Sequence, residues 1–349
     1  DEWEVTFSTM MKMREEGNKT PQFCFWAFNG NVISVVQQLY EKFYKEPKYQ
    51  DLWFYWDGKP LLLYNAEPEL DANGGWHEYK DGKADYSDEV KQFFTLRNMW
   101  WGYYEWNGKR FIGTEDNWSF GYSMADSAIL AMSPDELVSK HNGRLEEAAV
   151  TPAQHPVTMT KVPMGVGKSW SREFGQPKLN EYDMPDSAYV PWLGKTVADP
   201  TGYGIYFQER WDDALKSDPE FIYLNDWNEW TAGKYNGEVG WLGRQNPFMF
   251  VDQYNAEFNR TISPMKGGYT DNYYMQMAQN IRRYKGVRPI PENKGYNRVT
   301  VDGDFADWAK VKVEYRDTRG DTAHRDAYGY ANIHYTDSTG RNDILMSKV

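Results

Sequence analysis

Residues 1–67 alternate twice between a segment with helical apolar spacing and a short apolar run. Trp3, Phe7, Met10, Met11 and Met13 recur at helical intervals, which predicts a helix over 1–17 with Gly17 as its terminator. QFCFWAF (22–28) reads as a strand. Val32, Val35, Val36, Leu39, Tyr40, Phe43 and Tyr44 then share one helical face, and PLLLYNAE (60–67) reads as a second strand ending at Glu67. This rhythm is how βα units on a parallel sheet read, so the fold class is α/β.

Further on the pattern is looser. Gly, Asp, Lys and Asn crowd 70–88, which predicts a surface loop. FFTLRNMWW (93–101) reads as a strand, and another is expected around Val150. The stretch 162–198 is rich in Gly, Pro and Ser and reads as one long loop of the kind that carries binding or lid elements. Phe207, Trp211 and Leu215 predict a helix over 204–217, FIYLN (221–225) a strand, and 271–284 a last helix. A length of 349 residues accommodates a (β/α)8 TIM-type barrel over 1–288, a linker over 289–298 and a short β-rich tail over 299–349. That tail opens with an Asp302–Gly303 turn and alternates like strands.

Charge narrows the partners. A net charge of −12 with no Lys/Arg-rich run speaks against nucleic acid and anionic membranes. No apolar run is long enough to span a membrane. Cys24 is the single cysteine, so no internal disulfide can form, and it reads as a small buried hydrophobe. No His, Cys and Asp pattern has metal-ligand spacing, and no cofactor motif is present; Gly165–Gly167 lacks the strand–loop–helix setting of a phosphate loop. Aromatic residues make up 17% of the chain, with 16 Trp and 26 Tyr. Their electron-rich faces stack on the apolar C–H face of a pyranose, which raises a carbohydrate reading.

FIYLNDWNEWTAG (221–233) concentrates chemistry where a strand should end. In a parallel barrel that end faces the active site. Glycosidic cleavage needs carboxylates there, one to protonate the leaving oxygen and another as base or nucleophile. Glu229 and Asp226 fit, with Glu67 as a third candidate behind LLLYNA. The competing reading of each is a helix or turn cap. Glu105, Glu209 and Asp252 are further carboxylates near strand or helix ends, with structural roles favoured over a catalytic one for all three, that of Glu209 being a first-turn helix residue. Substrate contacts are expected from Trp26, Trp101, His155, Trp227, Asn228, Trp230 and Glu209. Of the neighbours Trp100 and Trp101, one should face the core and one the rim.

LNDWNEWTAG resembles the terminal-strand motif of the glycoside hydrolase family 99-like proteins, the family 71/99-type barrels that include bacterial polysaccharide-utilisation proteins. KMREEGNKTPQFCFWAFNG, LWFYWDGKPLLLY, FTLRNMWW and the stretch 250–286 are similar to the same group. The tail VTVDGDFADW resembles the start of a family 9-like carbohydrate-binding β-sandwich. The resemblance implies a glycan substrate and export to the periplasm or cell surface. It also implies βα units upstream of residue 1, supplied by the same precursor or by another chain. In family 99 two Glu stand three residues apart in this motif; Glu229 matches the first, which assists at the sugar 2-hydroxyl, whereas the acid/base position falls on Ala232. Another carboxylate must therefore supply the proton, or the chain binds glycan without cleaving it, or it is a structural piece of a larger assembly.

Overall fold

The computed structural model describes residues 2–27, 32–45, 47–64, 69–70, 76–77, 87–106, 108–154, 166–231, 240–241, 244–245, 250, 252–286, 295–311, 313–316, 319–320, 325–328, 334–341 and 343–348. The chain forms two compact units. One is built chiefly from Asp1–Thr151 and Asp212–Asn225, the other from Gly165–Trp211 and Asp226–Val349.

The first unit is mixed α/β around parallel strands. Phe25–Ala27, Lys59–Tyr64, Thr95–Trp100 and Asn117–Ser119 lie side by side in chain order, each parallel to the next. Arg144–Val150 pairs parallel with Phe221–Leu224 and antiparallel with Ser139–His141. Helices Glu2–Glu15, Val32–Leu39 and Asp88–Phe93 belong to the same unit. The last of these starts at Ser87, whose hydroxyl accepts from Val90 N and so satisfies an amide that the first turn leaves open.

Both faces of these strands are covered, which is why they read as continuous apolar runs rather than as alternating ones. On one face Phe25, Ala27, Leu62 and Tyr64 join Phe7, Val36, Phe43 and Trp53 in a single aromatic-rich core. On the other, Leu61, Leu63, Met99 and Trp118 gather with Cys24, Trp26, Phe120, Phe221 and Tyr223. Residues of both parallel groups meet in this second cluster: the rings of Trp118 and Phe221 stack 5.0 Å apart. Cys24 is part of it, and burial pushes its thiol up to about 12, which fits a packing residue and not a nucleophile.

One ionic knot closes the polar end of that interior. Glu146 is fully buried and accepts from Arg97 Nε and Nη2, Trp56 Nε1 and Trp118 Nε1, all at 2.7 Å. Burial would raise its value, but these donors outweigh it and hold Glu146 below the ordinary carboxylate range. Asp57 and Asp116 lie 3.2 and 3.4 Å from Arg97, and His141 bonds Asp116 at 2.7 Å.

In the second unit, helix Asn272–Lys285 lies along the first turns of Ile205–Ser217: Phe207 packs on Tyr273, and Gln208 bonds Gln276 and Asn280. The stretch 162–198, read from the sequence as one long loop, contains an antiparallel hairpin, Ser187–Val190 with Lys195–Ala198. Its apolar signal is only Ala188, Val190 and Val197, too few to stand out. The tail forms two antiparallel strand pairs, Glu314–Arg316 with Met346–Lys348 and Arg325–Tyr328 with His334–Asp337. Most of the expected linker lies outside the described residues.

Candidate functional site

The DWNEW segment follows strand Phe221–Leu224 and is itself irregular; its backbone runs beside residues 260–263. Ile262 N donates to the carbonyls of Asp226 and Trp227 at 3.2 Å, and Ser263 N donates to Trp227 O at 3.0 Å. Asp252 clamps the two stretches. One of its oxygens accepts from Glu229 N at 2.7 Å and from Thr261 Oγ1 at 2.8 Å, and the other accepts from Arg260 N at 2.9 Å. Two backbone amides from different stretches thus share one buried carboxylate, which fixes where residues 229 and 260 sit. Gln253 also donates to Trp230 O.

Four ionisable side chains converge on this frame. Glu229 pairs with the Arg260 guanidinium. Asp226 is pushed up to about 7 by burial, with the nearby Asp252 adding to the rise and Arg260 and Lys168 opposing it. Its Oδ1 is buried with no hydrogen-bond partner among the described residues. Lys168 is wholly buried; its Nζ donates to Asn259 Oδ1 at 2.7 Å and Thr261 O at 3.3 Å, and lies 3.7 Å from the Tyr269 ring centre. Burial drives its ammonium well below the ordinary lysine value, while Asp252, Glu257 and Asp226 draw it back up.

A second buried carboxylate supports Lys168 from behind. Glu257 accepts from Ser169 N and Oγ at 2.8 Å, Thr201 Oγ1 at 2.7 Å and Gln176 Nε2 at 3.1 Å. Its carbonyl accepts from Lys168 N at 3.0 Å. Gly167 makes this approach possible, since a Cβ there would stand 2.3 Å from Glu257 Oε1.

The expected site residues divide accordingly. Asp226 and Glu229 share the frame. Trp227 and Trp230 are 51% and 36% exposed, so both present ring surface to solvent. Asn228 is half-buried between them in the chain. Glu209 sits on helix Ile205–Ser217 and accepts from Arg172 N at 3.0 Å, an anchor for the preceding loop. Trp26 and Trp101 belong to the first unit. Trp26 is half-buried against Phe120, at 5.1 Å. Trp101 is 4% exposed and packs on Phe120 at 5.5 Å, so of the two neighbouring indoles Trp101 is the core member and Trp100 the half-buried one. Glu67, His155 and Ala232 lie outside the described residues.

Sequence reading missed Lys168, Glu257, Asn259, Arg260 and Thr261. The available signal was the density of charged and amide side chains in VDQYNAEFNRTIS, which a plain loop does not need. Among the described residues no group of three or more His, Cys, Asp and Glu is placed to hold a metal ion. No described helix is long and apolar enough to cross a membrane. Comparison with protein-family models, with curated proteins and with solved structures found no match.

Proposed function

We propose that this chain is a glycoside hydrolase whose cleavage step is carried by Asp226 and Glu229. The observation that carries the reading is the contrast between two carboxyls three residues apart: Asp226, half-buried with its Oδ1 enclosed and raised to about 7, and Glu229, paired with Arg260. An acid that is half protonated at neutral pH can give its proton to the glycosidic oxygen as the C–O bond breaks. The paired Glu229 carboxylate meets the positive charge that develops at the anomeric carbon; water then adds to that carbon, and its proton returns to the Asp226 carboxylate. Asp226 thereby takes the role for which the family 99 pattern has a Glu where this chain has Ala232. The exposed indoles of Trp227 and Trp230 beside these carboxyls supply stacking surface for sugar rings.

Several further expectations belong to the same reading. A barrel is supported by the chain-ordered parallel strands and by the shared interior that runs from Trp26 to Tyr223. A carbohydrate-binding sandwich in the tail is supported only by its two antiparallel pairs and its resemblance. The glycan substrate and export rest on resemblance and on the aromatic content.

A second reading keeps glycan binding without the chemistry, and Ala232 favours it. Incubation with a panel of plant, algal and host polysaccharides separates the two. Release of reducing ends that disappears in Glu229→Gln is expected; binding to a glycan without release from any of them would leave the binding protein as the answer.

A further inference from the structure

We infer that the second unit carries a separate glycan-binding surface on the hairpin Ser187–Val190/Lys195–Ala198, one that takes pyranose residues of a polysaccharide chain. The inference rests on the carbohydrate reading above but uses none of the residues around Asp226 and Glu229.

The hairpin has two unlike faces. Ala188 and Val190 are buried with Ile205, and Val197 packs on them. Because side chains alternate along a strand, Ser187 and Tyr189 point the other way, with Thr196 opposite Tyr189 in the register. The outward face could have been entirely polar at no cost to the fold. Instead Tyr189 is 37% exposed and meets Phe174, which is 56% exposed. The turn that holds Phe174 out is tightly fixed: Ser171 and Gly175 exchange both backbone hydrogen bonds, and Phe174 N donates to Ser171 Oγ at 3.1 Å. Loop fluctuation is therefore not what exposes this ring.

The two rings stand 5.1 Å apart at 59°, an open corner and not a closed stack. They border a cavity of about 380 Å³ lined also by Ser171, Lys178, Ser187 and Thr196. That volume falls at the lower end of small-ligand pockets, the scale of one or two sugar rings. The hydroxyls of Ser187, Tyr189 and Thr196 and the Lys178 ammonium have no hydrogen-bond partner among the described residues. An apolar corner rimmed by uncommitted hydroxyls matches a pyranose, which offers a C–H plate on one side and hydroxyls round its edge. Trp192 and Leu193 are also exposed, at the turn of the same hairpin.

The test is affinity electrophoresis through gels holding xyloglucan, galactomannan, laminarin or mucin. The Glu229→Gln protein serves as background, so that cleavage cannot release bound chains. One of these polysaccharides should retard the background protein, and adding Tyr189→Ala or Phe174→Ala should weaken retardation at least about tenfold. Thermal melts check that these exposed truncations leave the fold intact. Retardation unchanged in both ring variants, or absent for every polysaccharide, overturns the inference. Hydrolysis is decided apart, by reducing-end release from the same polysaccharides with the unaltered protein. Release without retardation sinks only the second surface; retardation without release sinks only the hydrolase.

Discussion

A carboxyl with a value of about 7 changes charge within the range where an enzyme works, so Asp226 sets two separate pH dependences. The first concerns activity. An acid that must be protonated loses effect as pH rises, so turnover should fall above about pH 7, and Asp226→Asn should lower it by about 10²–10⁴-fold and abolish that limb of the pH–rate profile. A profile unchanged in the variant would assign the limb elsewhere. The second concerns stability. The folded value lies above the ordinary 3.8, so between about pH 4 and 7 the folded state holds a proton that the unfolded chain has lost. Stability from this residue is therefore present at low pH and lost as pH rises through about 7. Asp226→Asn should melt higher than the unaltered protein at pH 8 and show little difference at pH 4, measured by scanning calorimetry in matched buffers. Glu229 should behave otherwise, because removing its carboxylate strands the charge of Arg260.

Elements in this molecule are tied by buried carboxylates as much as by apolar contact. Glu146, on strand Arg144–Val150, holds Arg97 of Thr95–Trp100 and Trp118 of Asn117–Ser119. Glu146→Ala would leave the Arg97 charge buried without its main partner, and a loss of about 3–5 kcal/mol is expected from denaturant midpoints. The adjacent Glu147 lies in a different setting: burial drives it well above the ordinary range, and it accepts from Ser119 N at 3.1 Å. In the second unit Gly167→Ala would force a Cβ into Glu257, whose four donors leave it little room to yield. A cost of about 1–3 kcal/mol is expected by the same measurement. What the sequence made legible follows from range. The helices over 205–217 and 272–285 and the strands over 59–64 and 221–224 announce themselves by local periodicity. Helix Asp88–Phe93 was hidden because it runs into the following strand without a break in apolar character. Asn117–Ser119 is too short to show a period at all. The Lys168 environment was hidden for another reason: its partner Asn259 stands 91 residues away, and no local pattern encodes such a pairing.

At the scale of the whole molecule, a net charge of −12 gives a surface that repels polyanions. No retention on a heparin column is expected at physiological salt, and retention that falls steeply with added salt would contradict the reading of charge. The two units distribute their aromatic residues differently. The first clusters its rings around Phe7 and Trp118; the second buries Tyr206, Phe207, Tyr269 and Tyr273 and also leaves Trp227, Trp230, Phe174 and Tyr189 in contact with solvent. The Asp252 clamp has a consequence for engineering. It grips residue 229 by its amide and residue 260 by its amide, and neither bond consults the side chain at position 229. The shape of the loop and the chemistry it displays are thus specified by different atoms. Side chains, natural or synthetic, that keep an anion opposite Arg260 could therefore be exchanged at position 229 on the same backbone, so that reactivity is varied within that one electrostatic constraint.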